Sequence, residues 1–207
     1  MDRAPIDHAA IAAAYDRIAE RWLEHRFDAG NGVAAHVRAL ALLDDAPGGW
    51  ALNAGCGCNP RFSPLLRARG LRIEGVDISA RMVELARTAD PQATIHHADL
   101  CDWPIPRAYR FITGWDSLWH VALGAQRRLM RSLMTALEPG GVFVFSAGGL
   151  DAPAEHRDAA MGPSVYYATL GIPGLLDVVR DAGCVPRHLE FDQRPHDHLC
   201  VIVQRPR

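Results

Sequence analysis

Short apolar segments alternate with amphipathic segments of helical length through most of this chain, and this alternation limits the possible folds more than any other feature. The strand-like segments are WALNA (50–54), LRIEGVD (71–77), QATIHHAD (92–99), YRFITGW (109–115), GVFVFSAGG (141–149), VPRHLEFDQ (185–193) and HLCVIVQ (198–204). Strands that alternate with helices are typical of a parallel sheet covered on both faces. The sequence therefore predicts an α/β fold with a doubly wound, mostly parallel, seven-stranded sheet.

The last two strands are the exception, because only the short turn RPHD (194–197) separates them. So short a connection joins antiparallel neighbours, and we expect a C-terminal hairpin added to the sheet. Right-handed crossovers place the carboxyl ends of the parallel strands along one edge, which is where ligands bind in such sheets. Functional residues are therefore expected after the strands.

Helical periodicity fills the gaps between the strands. It covers residue 6 to about 27, then 33–43, 60–69, 80–88, 126–137 and 172–182. Ser79 suits an N-cap for the fourth of these helices, and EPGG (138–141) is a strong stop signal for the fifth. The Gly-, Pro- and His-rich stretch 148–164 is expected to be irregular and to overhang the ligand edge.

The composition excludes several classes of protein. All 22 basic residues are Arg, so there is no phosphate-binding lysine of a Walker A loop and no Schiff-base lysine. The net charge of −2 gives no basic footprint for nucleic acid. No apolar run is long enough to span a membrane, and the N-terminus does not resemble a signal peptide. Five cysteines without framework spacing favour reduced thiols and a cytoplasmic protein; the oligomeric state stays open.

A glycine-rich turn, Gly55-Cys56-Gly57-Cys58-Asn59, follows the first strand and precedes a helix. Glycines there permit positive φ and a close approach of backbone to ligand. Asp77 lies 22 residues after Gly55, at the end of the second strand, where a carboxylate would accept from the two hydroxyls of a ribose. The alternative is that Asp77 only caps the next helix.

A metal site is a weaker interpretation of the same turn. The spacing of Cys56 and Cys58 lacks the two-residue gap of common zinc pairs, and no second pair follows at a matching distance. His96, His97 and Cys101 are further candidate ligands. Small thiols packed in a tight turn explain the pattern better, so no metal is expected.

Five segments in this order and spacing resemble the class I S-adenosylmethionine-dependent methyltransferases. They are LNAGCG, GVDIS, HHADLCDWPI, WDSLWHV and LEPGGVFVFS, and the resemblance covers roughly Tyr15 to Val203. It implies a Rossmann-like methyltransferase fold, S-adenosylmethionine as cofactor and a small-molecule acceptor methylated on O or N. It also implies two regions of one structural unit: a helical lid over 1–45 and a cofactor-binding α/β domain over 46–207.

The resemblance assigns the cofactor contacts by position. The glycine turn would lie behind the methionyl part, Asp77 would bind the ribose, and Asp99 would accept from the adenine amino group. From the lid, Arg21 would reach a carboxylate. The residues implied in cofactor binding are Tyr15, Arg21, Asn53, Gly55, Cys56, Gly57, Asp77, Ile78, Asp99, Leu100, Trp115 and Asp116.

His120 is the candidate catalytic base, because it follows the fourth strand and its unperturbed pKa is near neutrality. A histidine that only packs there is the alternative. The candidate acceptor contacts are Trp22, Tyr166, Tyr167 and His196. His196 and His198 both flank the closing turn, for which a solvated hairpin tip is the competing interpretation.

The sequence departs from the family pattern at three positions. Asn53 and Arg110 stand where an acid is usual, and Asn59 replaces a frequent glycine. Asn53 keeps an acceptor oxygen but loses the charge that favours the cofactor's ammonium group. These departures motivate one rival function, a non-catalytic module that binds S-adenosylmethionine. The glycine turn and the ribose acid also suit a second rival, a nicotinamide-dependent oxidoreductase, although the absence of Lys excludes the Tyr-x-x-x-Lys pair of the short-chain type.

Overall fold

The computed structural model describes residues 8–23 and 28–207. Within these ranges the helices are α1 (His8–Ile18), α2 (Val33–Leu40), α3 (Ser63–Ala68), α4 (Ala80–Ala89), α5 (Leu123–Thr135) and α6 (Gly171–Asp181). The nine strands are β1 (Trp50–Ala54), β2 (Arg72–Asp77), β3 (Thr94–His97), β4 (Tyr109–Gly114), β5 (Leu137–Gly148), β6 (Ala154–Asp158), β7 (Val165–Thr169), β8 (Val185–Phe191) and β9 (His198–Gln204). Short 3₁₀ turns cover Ala19–Trp22 and Leu118–His120.

Seven strands form one sheet in the order β3-β2-β1-β4-β5-β9-β8. The first five are parallel to one another, and β9 lies antiparallel between β5 and β8. The predicted fold class is therefore confirmed, including the antiparallel C-terminal hairpin. β1 and β4 are adjacent although two strands intervene in sequence, so their carboxyl ends meet at the point where the winding reverses.

Several helix boundaries differ from the prediction, by up to three residues for α2 and α3, and the first and fifth helices show why. The first ends at Ile18 and tightens into a 3₁₀ turn, with part of its predicted range outside the described residues. The fifth runs from Leu123 to Thr135 rather than 126–137, because Leu137 already pairs with Tyr109 as the first residue of β5. EPGG thus lies inside the irregular start of a strand, where Gly140 has a φ of +80°.

The prediction of an irregular segment over 148–164 is wrong in part. β6 and β7 pair as an antiparallel hairpin outside the main sheet. His156 lies opposite Tyr167, and the two rings stack with centroids 5.2 Å apart. Cross-strand pairs of this kind stabilise a hairpin, but the Gly and Pro residues around them mask the strand signal in the sequence.

The sheet is covered on both faces, as period-2 alternation along its strands requires. Val142 and Val144 point into a core with α2 and α3, whereas Phe143 and Phe145 point into a core with α5 and α6. α2 belongs to the core of the sheet through buried residues such as Ala39. Among the described residues, no helix is both long and apolar enough to cross a bilayer.

Arg110 accounts for one departure from the family pattern. Its guanidinium donates to the carbonyl oxygens of Asp44 (2.8 Å) and Gly48 (3.1 Å) and pairs with the Asp44 carboxylate. These acceptors lie in the chain that leads into β1. Arg110 therefore ties β4 to the approach to β1, a structural role away from the ligand edge.

His36 on α2 is fully buried and hydrogen-bonded at both ring nitrogens. Nδ1 donates to the Gly32 carbonyl (2.7 Å), Nε2 accepts from the Thr113 hydroxyl (2.7 Å), and the ring stacks on Phe62 at 3.5 Å between centroids. Burial lowers the pKa of His36 to about 3. The folded protein therefore holds this imidazole neutral.

We expect His36→Gln to make the unfolding free energy less dependent on pH below about pH 6.5. Below about pH 6.5 the unfolded chain protonates His36 while the folded chain does not until about pH 3, so stability falls as the pH falls through that window. In urea titrations between pH 6 and 4.5, the slope of the unfolding free energy should decrease by about 1.4 kcal/mol per pH unit. The control is His196→Gln, an exposed position, which should keep the parent slope. An unchanged slope in His36→Gln would contradict the assignment.

Candidate active site

A cavity lies at the carboxyl ends of β1, β2, β3 and β4, and α1 lies over it. Most of the predicted site residues line it: Tyr15, Trp22, Asn53, Gly55, Cys56, Gly57, Asp77, Ile78, Asp99, Leu100, Trp115, Asp116 and His120. Residues that the sequence interpretation did not assign also line it, among them His8, Arg61 and Phe62. The cavity is therefore the place where the separate motifs meet.

The glycine turn is built by close backbone contact. Gly55 has a φ of +73°, and a Cβ there would lie 2.4 Å from the Cβ of Ser117. Ser117 in turn donates its hydroxyl to the Ala54 carbonyl (2.7 Å). Gly57 has a φ of +56° and nothing within 4 Å of a Cβ position. Gly55 thus lets β4 close on β1, while Gly57 keeps the cavity wall open.

Asn59 closes the same turn in place of the usual glycine. Its side-chain oxygen accepts from the backbone N–H of Arg61 (3.0 Å), which is an Asx turn. Cys56 and Cys58 remain thiols here, since burial raises the pKa of Cys58 to about 11 and that of Cys56 well above its usual value. Both side chains pack in the turn.

Asp77 presents a backbone-anchored carboxylate at the end of β2. Oδ2 accepts from the N–H of Gly57 (2.8 Å), and Oδ1 accepts from the N–H of Ser79 (2.9 Å). Burial raises the pKa of Asp77, and these hydrogen bonds oppose the shift. The helix cap is Ser79, whose hydroxyl accepts from Met82 (3.1 Å). A carboxylate accepts about four hydrogen bonds, so Asp77 keeps acceptor positions for a ligand.

Asp99 is shared between the loop after β3 and the start of α1. Oδ1 accepts from the Cys101 N–H (2.8 Å), while Oδ2 pairs with Nδ1 of His8. The ligand-type atoms of His8, Asp99 and Cys101 lie within 4.8 Å of one another, the one such group among the described residues. Burial, with Asp99 nearby, raises the pKa of Cys101 to about 11. A protonated thiol is a poor metal ligand.

His120 is buried and enclosed by three hydrogen bonds. Nδ1 donates to the Tyr166 carbonyl (2.8 Å), which leaves Nε2 to accept from the Tyr15 hydroxyl (2.6 Å) and from the Trp119 indole N–H (3.0 Å). Burial lowers the pKa of His120 to about 4. The imidazole is therefore neutral near pH 7, and it meets the cavity together with the Tyr15 hydroxyl.

Tyr166 and Tyr167 lie behind His120 on β7, and neither lines the cavity. The Tyr166 hydroxyl donates to Glu155 (2.6 Å) and accepts from the N–H of Leu123 (3.2 Å). The Tyr167 ring lies 4.7 Å from the His120 ring. Both tyrosines therefore shape the surroundings of His120.

Asp116 carries the one positive φ (+55°) of a non-glycine residue in the described chain. Its N–H donates to Ser146 Oγ (2.7 Å), and Oδ1 accepts from His198 Nε2 (2.9 Å). Oδ2 accepts from the side-chain amide of Asn31 (2.9 Å). Positive φ costs about 1–2 kcal/mol, and these bonds offset that cost. The carboxylate is thereby held at the edge of the cavity.

His198 is the main functional-site residue that the sequence interpretation missed. Its ring is buried between Trp115 and Trp119 (5.4 and 5.5 Å between centroids), and Nδ1 pairs with Asp192 (2.5 Å). Burial acts to lower its pKa, but the hydrogen bonds to Asp116 and Asp192 raise it above the usual value. The expectation of a solvated turn is wrong for His198; as the first residue of β9 it points inward.

Beside Tyr166 and Tyr167, two more predicted site residues, Arg21 and His196, do not line the cavity. Arg21 donates to the Met161 carbonyl (3.0 Å) in the β6–β7 connection. His196 is exposed in the β8–β9 turn, where its N–H donates to the Gln193 carbonyl (2.9 Å). Both residues are therefore absent from the cavity lining.

α1 covers the cavity through polar contacts near both of its ends. Beside the His8 and Tyr15 contacts, Asp16 accepts from the Ser79 hydroxyl (2.6 Å) and from the Arg81 N–H (3.0 Å). Glu20 pairs with the Arg81 guanidinium (2.7 Å). This segment is therefore placed as a cover, unlike α2, which packs in the core of the sheet.

Family comparison agrees with this geometry. The family described as methyltransferase domain matches residues 22–186. This chain belongs to the methyltransferase-domain family, and its resemblance to the class I S-adenosylmethionine-dependent methyltransferases is confirmed.

Two curated relatives show how this family is used. A malonyl-[acyl-carrier protein] O-methyltransferase from Enterobacter lignolyticus is 30% identical over 157 residues, 75% of this chain and 60% of that protein. A dTDP-3-amino-3,6-dideoxy-alpha-D-glucopyranose N,N-dimethyltransferase from Streptomyces fradiae is 30% identical over 90 residues, 43% of this chain and 35% of that protein. This chain thus spans about 60% or less of the length of these relatives.

A solved structure confirms the fold. The 1,6-didemethyltoxoflavin-N1-methyltransferase of Burkholderia thailandensis, with bound 1,6-didemethyltoxoflavin and S-adenosylhomocysteine, matches with a TM-score of 0.75. The match covers 100% of this chain and 94% of that chain at 17% identity. At this identity the likeness establishes the Rossmann-like methyltransferase fold.

The two glycines of the turn should differ in their tolerance of alanine. Gly55→Ala should lower the unfolding free energy by about 2–5 kcal/mol, because the methyl group meets Ser117 and φ is positive. Gly57→Ala, the matched variant, should cost only about 1–2 kcal/mol, because the space around it is open. Urea unfolding of both variants measures the difference. Equal costs would contradict the contact between the turn and Ser117.

Proposed function

We propose that this chain is an enzyme that transfers the methyl group of S-adenosylmethionine to an oxygen or nitrogen atom of a small-molecule acceptor. One observation carries the proposal: the Asp77 carboxylate is anchored by two backbone N–H groups and lines the cavity beside the open face of Gly57. An anchored carboxylate with free acceptor positions suits a ribose diol, and a wall without a Cβ suits a ligand lying against it.

The residues present fit the cofactor along the whole cavity. Asp77 and Ile78 would hold the ribose, and Asp99 with Leu100 would lie beside the adenine. The methionyl part would lie along the glycine turn and the end of β4. The residues that line that part are Asn53, Gly55, Cys56, Gly57, Trp115 and Asp116.

The cofactor supplies an electrophilic sulfonium methyl group, so the chain mainly has to orient an acceptor and exclude water. Tyr15 and Trp22 line the cavity from the covering segment. We propose that this lid consists of residues 8–23, narrower than the predicted 1–45, since α2 packs in the core of the sheet. Trp22 is the remaining predicted acceptor contact that lines the cavity.

Tyr15 and His120 would together receive a proton from the acceptor. Nδ1 of His120 is committed to the Tyr166 carbonyl, so Nε2 is the nitrogen that can take a proton. The Tyr15 hydroxyl donates to this Nε2 and lines the cavity. Burial, followed by nearby acidic groups, raises the pKa of Tyr15 well above its usual value. A free phenolate is therefore disfavoured. Proton transfer would pass from the acceptor to the Tyr15 oxygen as the Tyr15 proton moves to His120.

The relatives, the cavity and the charge of the chain support the proposed acceptor class. The curated relatives comprise an O-methyltransferase and an N,N-dimethyltransferase, which supports both acceptor atoms. The cavity beneath α1 and the net charge of −2 favour a small molecule over nucleic acid. The five free cysteines support the cytoplasm as the compartment.

Asp77→Asn should weaken binding of S-adenosylmethionine and S-adenosylhomocysteine by about 10- to 100-fold, because one acceptor and the charge are lost from the ribose contact. Calorimetric titration of parent and variant measures this, with NADH beside them. Arg128→Gln, at an exposed position on α5, should bind as the parent does. Binding of NADH alone would favour the oxidoreductase. Cofactor binding without methyl transfer across an acceptor panel would favour a non-catalytic module.

Tyr15→Phe and His120→Asn should each lower turnover by about 10²-fold or more and leave S-adenosylhomocysteine affinity within about threefold. Because the two residues act on one proton, the double variant should lose no more than the worse single variant.

The pH dependence of turnover gives a second prediction. Because His120 is neutral above about pH 4, its contribution to turnover should rise as the pH passes about 4 and stay level from pH 5 to 8. An acceptor found by radiolabelled-methyl screening provides the assay. Multiplicative losses, or a change near pH 6.5 that His120→Asn removes, would contradict the relay.

A further inference from the structure

Asp116 lines the proposed methionyl part of the site, but no contact described above pairs either charge of the cofactor's amino-acid end with a specific group of opposite charge. That end carries an ammonium and a carboxylate, yet Asn53 stands where the family usually has an acid. Arg21, the predicted carboxylate contact, donates to Met161 outside the cavity. Other groups must therefore meet these two charges if the proposed function holds.

Arg61 provides a cation in the wall of the cavity. Its guanidinium carbon lies 4.6 Å above the Phe62 ring, and Nε donates to the Asn31 carbonyl (3.0 Å). The side chain is 14% exposed. Among the described residues, the terminal nitrogens donate to no acceptor within hydrogen-bond distance, and the nearest carboxylate, Asp116, is 3.9 Å away. Burial lowers the pKa of Arg61, which favours an added anion beside it.

Asp116 provides the matching anion. Oδ1 is occupied by His198 and lies 3.3 Å from the Ser146 hydroxyl, whereas Oδ2 has one hydrogen bond, from Asn31. Oδ2 is also the oxygen nearest Arg61. A carboxylate oxygen accepts two hydrogen bonds, so Oδ2 of Asp116 can accept one more. The free acceptor position is therefore on the oxygen nearest the Arg61 guanidinium.

Both groups lie where the glycine turn meets the end of β4. Asp116 immediately precedes Ser117, whose side chain packs on Gly55. Arg61 lies two residues after the turn, and its backbone N–H donates to the Asn59 side chain. The opposite charges therefore flank the segment against which the methionyl part is proposed to lie.

We infer that Arg61 binds the carboxylate and Asp116 binds the ammonium of the amino-acid end of S-adenosylmethionine. This inference rests on the proposed function and adds to it a pair of residues that selects a zwitterion. Two opposite charges about 4 Å apart match a ligand that itself carries both signs, so no net charge is added to the buried site.

His198 acts here as a positioning residue. It does not line the cavity, but its imidazole holds Oδ1 of Asp116 and is itself held by Asp192 and two indole rings. The other oxygen of Asp116 is thereby turned toward Arg61. Asp116 can thus replace the acid that is missing at Asn53.

The test uses four nucleosides and titration calorimetry on the full chain. They are S-adenosylhomocysteine, its decarboxylated analogue, its deaminated analogue, and 5′-methylthioadenosine, which lacks the amino-acid part. Arg61→Gln should weaken the two ligands that carry a carboxylate by about 10- to 100-fold and leave the other two unchanged. Asp116→Asn, which suits the positive φ, should weaken the two ligands that carry an amine by a similar factor.

Further variants separate binding from folding. Arg61→Lys should recover part of the affinity for the carboxylate-bearing ligands, and Arg128→Gln should keep the parent profile. His198→Gln should weaken the amine-bearing ligands only, a selectivity that a general loss of packing does not produce. Thermal melting of each variant checks that it is folded.

The outcomes distinguish a failure of the Arg61 and Asp116 pairing from a failure of the proposed function. A parent that binds all four nucleosides, with variants that lose affinity equally for every ligand or for none, would overturn the pairing and leave the proposed function standing. Unchanged S-adenosylhomocysteine affinity with a raised KM for the acceptor would also overturn it, by assigning Arg61 and Asp116 to the acceptor. A parent that binds none of the four would overturn the proposed function itself.

Discussion

The contact between Gly55 and Ser117 is the constraint on which the rest of the site depends. β1 and β4 are neighbours at the point where the sheet reverses its winding, and their carboxyl ends approach so closely that only a residue without a Cβ fits. The N–H groups of Gly55 and Cys56 also both donate to the Val76 carbonyl (2.9 and 3.0 Å), which ties the same turn to β2. This turn thus sets the distance between two carboxylates, Asp77 at the end of β2 and Asp116 after β4. Any side chain at Gly55 would push them apart.

Three buried histidines show that environment, more than residue type, determines charge in this protein. His36 and His120 each donate one N–H to a backbone carbonyl and accept at the other nitrogen, so burial dominates and lowers the pKa to about 3 and about 4. His198 is also buried, but carboxylates face both of its nitrogens, and the balance reverses. The neutral histidines suit proton transfer and packing, whereas the carboxylates on both sides of His198 raise its pKa and hold its ring beside Asp116.

The sequence predicts what is local and misses what depends on pairing between distant segments. The strands, the glycine turn, Asp77 and the Ser79 cap follow from spacing and turn chemistry within short stretches. The role of His198 depends on β9 inserting between β5 and β8, and nothing in HLCVIVQ shows which residue of that strand will meet Asp116. The same holds for His8 on Asp99, more than 90 residues away. The hairpin of β6 and β7 was hidden because its stabilising pair, His156 with Tyr167, spans a Gly- and Pro-containing connection.

The covering segment is attached by a different kind of contact from the rest of the fold. The two cores on the faces of the sheet are large and apolar, whereas the described part of the lid meets the body through a smaller cluster, built on Ala19, Cys58 and Met82, and buries Ile11, Ala14 and Ile18 of α1. Its other attachments are polar pairs, and two of them, at Asp99 and His120, use groups that line the cavity. Segments with few buried apolar contacts open at the lowest free-energy cost. In the proposed function, a cofactor bound at Asp99 and an acceptor at His120 would meet groups that also hold the lid, so we propose that lid position and occupancy of the cavity are coupled through these two residues.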